Sequence, residues 1–319
     1  MTKYIAQRLV LSIPTLLGLT IFIFFLFRVL VPVDVVDIAS AETETDDPEL
    51  EQRLREEFGL TGPLPVQYVN WLGNILTGDT GTSFFTRRSV TEEMVMRIPV
   101  SLELGMGALL ISIVLSVPIG LMSAAKQDSL PDYVARGGAI MFYALPGFWI
   151  ATLVLVYGSK WFQWAPQIEY EHLWVDPVAN VKQLIIPMLI LGLSPIGVQI
   201  RLVRTQVLEV IRQDYVRTAH AKGLSTTTIY FRHILRNALL PFVTVLGLAL
   251  PGVVGGTVIF EQIFVIPGVG LYLLESLNRL DLYVIMATNL FFGGLLVLSN
   301  IAVDVSYAFI DPRIRLAGR

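Results

Sequence analysis

At 319 residues, 54% hydrophobic and only 15% charged, the chain carries too few charges for a soluble domain, where about a quarter is usual. Its mean hydropathy of +0.65 points to lipid as the solvent for most of its length, while the net charge of −3 excludes nothing by itself. The absence of cysteine excludes disulfide scaffolds, thiolate metal sites and cysteine nucleophiles, and His172, His220 and His233 are too scattered for a histidine metal cluster.

Crossing the hydrocarbon core takes roughly 20 apolar residues in a helix. About six stretches qualify: 9–30, 100–124, 138–157, 184–203, 239–260 and 283–309. The runs are continuous rather than alternating, which argues for an all-α membrane protein and against a barrel. The first run follows Lys3 and Arg8, and Ala39-Ser40-Ala41 beyond it resembles a leader cleavage site. Its apolar core is longer than that of a leader peptide, so a retained anchor is expected.

Residues 31–98 read as a small helical segment outside the membrane. Asp47 is placed to cap a helix that Pro48 opens and Gly59 closes, with Leu50, Leu54 and Phe58 on one face. A second helix carries Tyr68, Trp71, Leu72, Ile75 and Leu76. Ser89 followed by Glu92 is a capping box for a third short helix before the second span. The acid between Asp34 and Glu57 is either a solvated surface or a docking face for an external partner.

Pro118, Pro146-Gly147, Pro195, Pro251-Gly252 and Gly255-Gly256 fall inside spans, where broken or closely packed helices are expected. Glu103 and Asp304 are acids within spans or at their ends, candidates for pairing with another helix or subunit ahead of direct substrate contact. Trp161, Phe162, Trp164 and Trp174 beyond the third span fit an interfacial aromatic belt. After the fifth span, Pro267, Gly268 and Gly270 in "EQIFVIPGVG" mark either a plain turn or a segment that dips back toward a path.

Lys and Arg concentrate in the segments that are cytoplasmic if the N-terminus is inside, which places both termini there. The richest such segment, "YVRTAHAKGLSTTTIYFRHILRNALLP" (215–241), holds no acid. Residues 214–222 favour a helix that Gly223 ends in a left-handed turn. In the following helix Phe231, Ile234, Leu235, Ala238 and Leu239 share one face and Arg232, His233, Arg236 and Asn237 the other. Composition alone leaves two readings open, a docking element or a basic loop touching anionic lipid.

The stretch "DYVRTAHAKGLS…RHILRNALLP" resembles the cytoplasmic loop of binding-protein-dependent ABC importer permeases, in the dipeptide/oligopeptide (and nickel) branch. "FGLTGPLPVQYVNWLGNILTGDTGTSF", "RIPVSLELG", "IFVIPGVG" and "VDVSYAFIDPRIR" are similar to segments of that branch in the same order. The resemblance implies an ABC type I importer permease fold. It divides the chain into an N-terminal span (1–30), the outer segment (31–98), a permease core (99–311) with a coupling loop at 204–238, and a cytoplasmic tail (312–319). It also implies that Asp214, Tyr215, Val216, Arg217, Thr218, Ala219, His220, Ala221, Lys222, Gly223 and Leu224 seat on an ATPase subunit. Arg217-Thr218-Ala219 stands where the wider superfamily has Glu-Ala-Ala, and the interval from Gly223 to Leu240-Pro241 is longer than the general pattern, both usual for the peptide branch. Ala219 and Gly223, four apart, are expected to form a small-residue surface for that partner, and Pro267, Gly268 and Gly270 an outer gate.

The implied assembly contains a homologous second permease, two ABC ATPases, an extracytoplasmic substrate-binding protein and membrane lipid, and no nucleic acid. The chain has no G-x-x-x-x-G-K-[ST] loop, so ATP and Mg are expected in the partner subunits and no cofactor in this chain. An intramembrane enzyme would need an activated nucleophile, yet Ser101, Ser112, Ser116, Ser194 and Ser299 have no histidine within the spans and no His-Glu-x-x-His occurs. A stand-alone ion-coupled carrier would want paired intramembrane charges and inverted repeats. The expectation is a transport subunit of the cytoplasmic membrane that moves peptides, with nickel or another small solute as the alternative cargo.

Overall fold

The computed structural model describes residues 2–30, 48–57, 59–167 and 169–310. In chain order these form α1 (Thr2–Phe25, continued by a π-helical turn Leu26–Leu30), α2 (Pro48–Glu57), α3 (Leu64–Leu76), α4 (Val90–Ala125), α5 (Leu130–Ala144), α6 (Gly147–Phe162), α7 (Pro177–Leu193) and α8 (Ile196–Ile211). After them come α9 (Asp214–Ala221), α10 (Thr226–Thr228, a π-helical stretch Ile229–Leu235, then Arg236–Ala238), α11 (Leu240–Phe264), α12 (Val269–Arg279) and α13 (Leu282–Ile310). No strand forms among the described residues, where the extended pairing is an isolated bridge between Thr82 and Ser89.

Four helical segments are long and apolar enough to cross a membrane singly: Ile5–Val29, Val90–Ala125, Leu240–Phe264 and Leu282–Val305. The other two expected spans are each broken. α5 and α6 meet at 87° and α7 and α8 at 54°, so six spans result when each bent pair counts as one. The breaks follow from proline. Pro146 forces Leu145 out of helical geometry (φ −93°, ψ 122°) and itself becomes the N-cap of α6, and Pro195 plays the capping part for α8. By contrast α11 runs unbroken through Pro251-Gly252 and Gly255-Gly256, and α4 through Pro118.

The expected third short helix does not stand apart. Ser89 does cap the start, its Oγ accepting from the Glu92 amide at 3.4 Å, but the helix then continues into the second span as one 36-residue element. At 1.5 Å per residue that is about 54 Å, well beyond a ~30 Å hydrocarbon core. Asp47 and Phe58 lie outside the described residues. Gly59 ends α2 at φ +61°, a conformation that favours glycine.

The described residues divide into two compact units, one within 101–266 and 302–310, the other within 2–100 and 267–301. In the second, Trp71 of α3 is buried with Ile23, Phe24 and Met286, and the Thr20 and Tyr68 hydroxyls lie 2.9 Å apart. The expected apolar face of α3 thus packs on α1, except for Leu76, which ends the helix 79% exposed. In the first unit, helices approach closely where glycine leaves out a side chain. A Cβ on Gly192 would lie 2.5 Å from the Ala108 carbonyl oxygen, and one on Gly197 would collide with the Ala139 carbonyl oxygen, so α7 packs hard on α4 and α8 on α5. Gly197→Ala is therefore expected to destabilise the chain by roughly 1–3 kcal/mol. Gly137→Ala, where a Cβ meets nothing within 4 Å, should not; thermal unfolding of both variants in detergent checks the contrast.

Candidate functional site

The loop between α8 and α11 folds into a compact helical pair within the first unit. α9 begins after an extended Gln213 and places Asp214 in its first turn, where an acid suits the positive end of the helix dipole. Val216 and Ala219 are its two buried residues, packed with Val203 and Val207 of α8, Ala124 of α4, and Ile229, Ile234 and Ala238 of α10. Gly223 ends the helix at φ +74°, with its amide bonded to the His220 carbonyl at 2.9 Å and the Leu224 amide to that of Ala219 at 3.3 Å. Ser225 then caps α10 by accepting from the Thr228 amide. Asn237 donates to the Tyr215 hydroxyl at 2.9 Å, stapling the two helices together.

This packing leaves Asp214, Tyr215, Arg217, Thr218, His220, Ala221, Lys222, Gly223 and Leu224 exposed on one surface. Arg217 and Asp214 approach to 3.4 Å with side chains 75% and 96% exposed, a pair too solvated to hold either in place. Two expectations are corrected here. Ala219, at 5% exposure, belongs to the interior of its own chain, so it cannot form a small-residue docking surface with Gly223. Phe231 is 62% exposed, and the buried face of α10 is Ile229, Ile234 and Ala238. The π-helical stretch accounts for the second difference: its wider turn aligns residues five apart and rotates Phe231 outward.

Sequence reading missed the polar link beneath this loop. Asp132 in the first turn of α5 is fully buried, and Arg204 of α8 grips it with two hydrogen bonds, Nε to Oδ1 at 2.8 Å and Nη2 to Oδ2 at 2.7 Å. The Ser123 hydroxyl and the Asp128 amide also donate to this carboxylate. The available signal was an acid directly after Leu130-Pro131 at a helix start, with an arginine at the end of a later span.

Toward the other ends of these spans, Glu103 accepts a hydrogen bond from Tyr170 at 2.6 Å, so its partner is the loop between α6 and α7. Burial, with the neighbouring Glu103 carboxylate adding to it, pushes the Tyr170 phenol up, which keeps the proton on the donor. Glu261, also missed, is fully buried in the last turns of α11 and accepts from Ser101 at 2.7 Å and Thr257 at 2.8 Å. Asp304 is half-buried on α13. Of the expected gate residues, Gly268 is the extended N-cap of α12, and Pro267 precedes it. Gly270 lies inside that helix rather than breaking it. α12 itself went unread, although Val269, Tyr272 and Ser276 supply its buried face at helical spacing. Among the described residues no group of three or more His, Cys, Asp or Glu is placed to hold a metal ion.

The fold is that of a type I ABC importer permease. The fold is similar to a chain of the MetNI methionine ABC transporter in an inward-facing conformation (TM-score 0.54, 13% identity, 68% of this chain and 96% of that one). The chain belongs to the family of binding-protein-dependent transport system inner membrane components, whose model matches residues 116–316; the model for the N-terminal part of such membrane components matches residues 1–105. Similar curated proteins include the oligopeptide transport system permease AppB of Bacillus subtilis, 36% identical over 98% of this chain and 99% of that one. The di/tripeptide permease DppB of Pseudomonas aeruginosa is 35% identical and the dipeptide permease DppB of Escherichia coli 33%, each over 99% of both chains.

Tyr170→Phe, which deletes the donor to Glu103, is expected to cost about 1 kcal/mol of stability. Chemical unfolding in mixed micelles measures it, and Glu103→Gln, which still accepts from the phenol, should cost less.

Proposed function

We propose that this chain is one permease subunit of an ATP-driven importer that carries di- and oligopeptides across the cytoplasmic membrane. The observation that carries this reading is its similarity over 98–99% of its length to permeases named for oligopeptide, di/tripeptide and dipeptide transport. The chain supplies the path and no hydrolysis. ATP and Mg belong to two ABC ATPase subunits, the path is completed by a homologous second permease, and an extracytoplasmic binding protein delivers cargo.

The exposed surface of α9, from Asp214 to Leu224, is the ATPase-docking element in this reading. It is held on its inner side by Val216 and Ala219, while Arg217 and Lys222 are exposed for acids of the partner. Both termini face the cytoplasm, in keeping with the excess of Lys and Arg in the even-numbered connections and with six spans. Pro267, Gly268 and Gly270, at the start of α12, belong to the outer gate, and Glu103 and Asp304 are pairing acids rather than cargo ligands.

The tagged chain, purified in mild detergent, should co-elute with a second permease and two ATPases, with ATP hydrolysis raised by a peptide-loaded binding protein. Gly223→Asp places a side chain on a left-handed residue of the docking turn. It should leave the chain in the membrane while uptake is lost and hydrolysis no longer responds to peptide. Unimpaired uptake in that variant would remove the docking assignment.

A further inference from the structure

The Asp132–Arg204 pair has no part in docking or in the path as described, yet it joins four elements at one carboxylate. Ser123 lies in the last turn of α4, Asp128 in the α4–α5 turn and Asp132 in the first turn of α5, and Arg204 sits on α8 between Val203 and Val207, which pack on α9. Asp132 is fully buried and the Arg204 side chain is 17% exposed, so the fork is shielded from water and salt. The same α5 and α8 meet at the Gly197–Ala139 backbone contact, which leaves no room for sliding. Val203 and Val207 of α8 share a core with Val216 and Ala219 of α9.

The bends lie elsewhere. The chain bends by 87° between α5 and α6 and by 54° between α7 and α8, at Pro146 and Pro195. Proline has no N–H, so a bend at that residue leaves no donor of its own unpaired. A few element-terminal residues of this kind are what absorb hinge motion.

We propose that Asp132 and Arg204 are positioning residues that make α5, α8 and α9 one rigid body. Displacement of α9 by the ATPases is then delivered undiminished to the two proline breaks, which bend. The proposal rests on the importer reading given above.

The experiment uses the complete transporter in liposomes. The chain has no native cysteine, so labels can be placed singly. Spin labels at exposed Val134→Cys on α5 and Val198→Cys on α8 should report the same distance with and without trapped ATP. Labels at Val134→Cys and Val156→Cys, across the Pro146 break, should report a change. A changed α5–α8 distance, or an unchanged distance across the break, overturns the proposal.

Arg204→Lys keeps the charge and loses the fork, and Asp132→Asn keeps hydrogen-bonding capacity and loses the charge. Both are expected to lower peptide uptake per ATP hydrolysed, by roughly two- to thirty-fold. A purely structural pair would instead lower the amount of assembled transporter with uptake per ATP unchanged, and that result refutes the assignment. Should Asp132→Asn fail to assemble, Arg204→Lys and the label distances decide. A wild-type assembly whose hydrolysis ignores loaded binding protein would count against the importer reading itself, whatever the label distances show.

Discussion

Hydrocarbon offers no hydrogen bonds, and every other feature of this chain answers to that constraint. A backbone polar group left open in lipid costs several kcal/mol, so spans must be helical and any interruption must be supplied from within the protein. The two interruptions here fall at Pro146 and Pro195, where there is no N–H to leave open, and the helices restart at once. The Trp149 and Ile150 amides bond to the Pro146 carbonyl, and the Val198 amide to that of Pro195. Close glycine contacts at Gly192 and Gly197 then bring neighbouring helices against the altered backbone.

The loop between α8 and α11 faces a different demand. In the docking reading proposed above, a helix that receives force must be fixed to its own subunit on one side while staying open on the other. α9 meets this with Val216 and Ala219, spaced to lie on one face, and with the Tyr215–Asn237 hydrogen bond to α10. The glycine at φ +74° lets the chain reverse within a few residues, so α10 closes over that buried face. The exposed Arg217 is held only by a solvated pair with Asp214, which in the docking reading would cost little to exchange for a partner.

Much of this was legible in sequence, because hydropathy and helix stop signals act locally. The number of spans, the left-handed Gly223 and the capping Ser89 needed no tertiary knowledge. The errors share a physical origin. Proline within an apolar run is compatible with a break, as at Pro146, or with a continuous helix, as at Pro251. The wide turn at Ile229–Leu235 puts Ile229 rather than Phe231 on the buried face of α10, something no 3.6-residue template contains, while Ile234 and Ala238 lie on that face as expected. Ala219 looked like a contact for a partner because small residues permit close approach from either side, and here its own core takes it. α12 was lost because its flanking Pro267 and Gly268 read as a loop, although they are a helix start.

The buried acids accept from different kinds of donor, and a guanidinium differs mechanically from a hydroxyl. Glu261 accepts from the Ser101 and Thr257 hydroxyls, and Asp281 from Ser83 at 2.6 Å. A hydroxyl rotates about its own bond and tolerates small shifts of the helix that carries it. Asp132 receives, besides the Ser123 hydroxyl, a guanidinium fork, whose two parallel bonds fix orientation as well as distance. Such a pair is poorly suited to gaining stability, since burying both charges consumes most of the attraction between them. It is well suited to fixing the rotation of α8 relative to α5. That orientation matters most at the end of α8, because α9 follows it after only two residues.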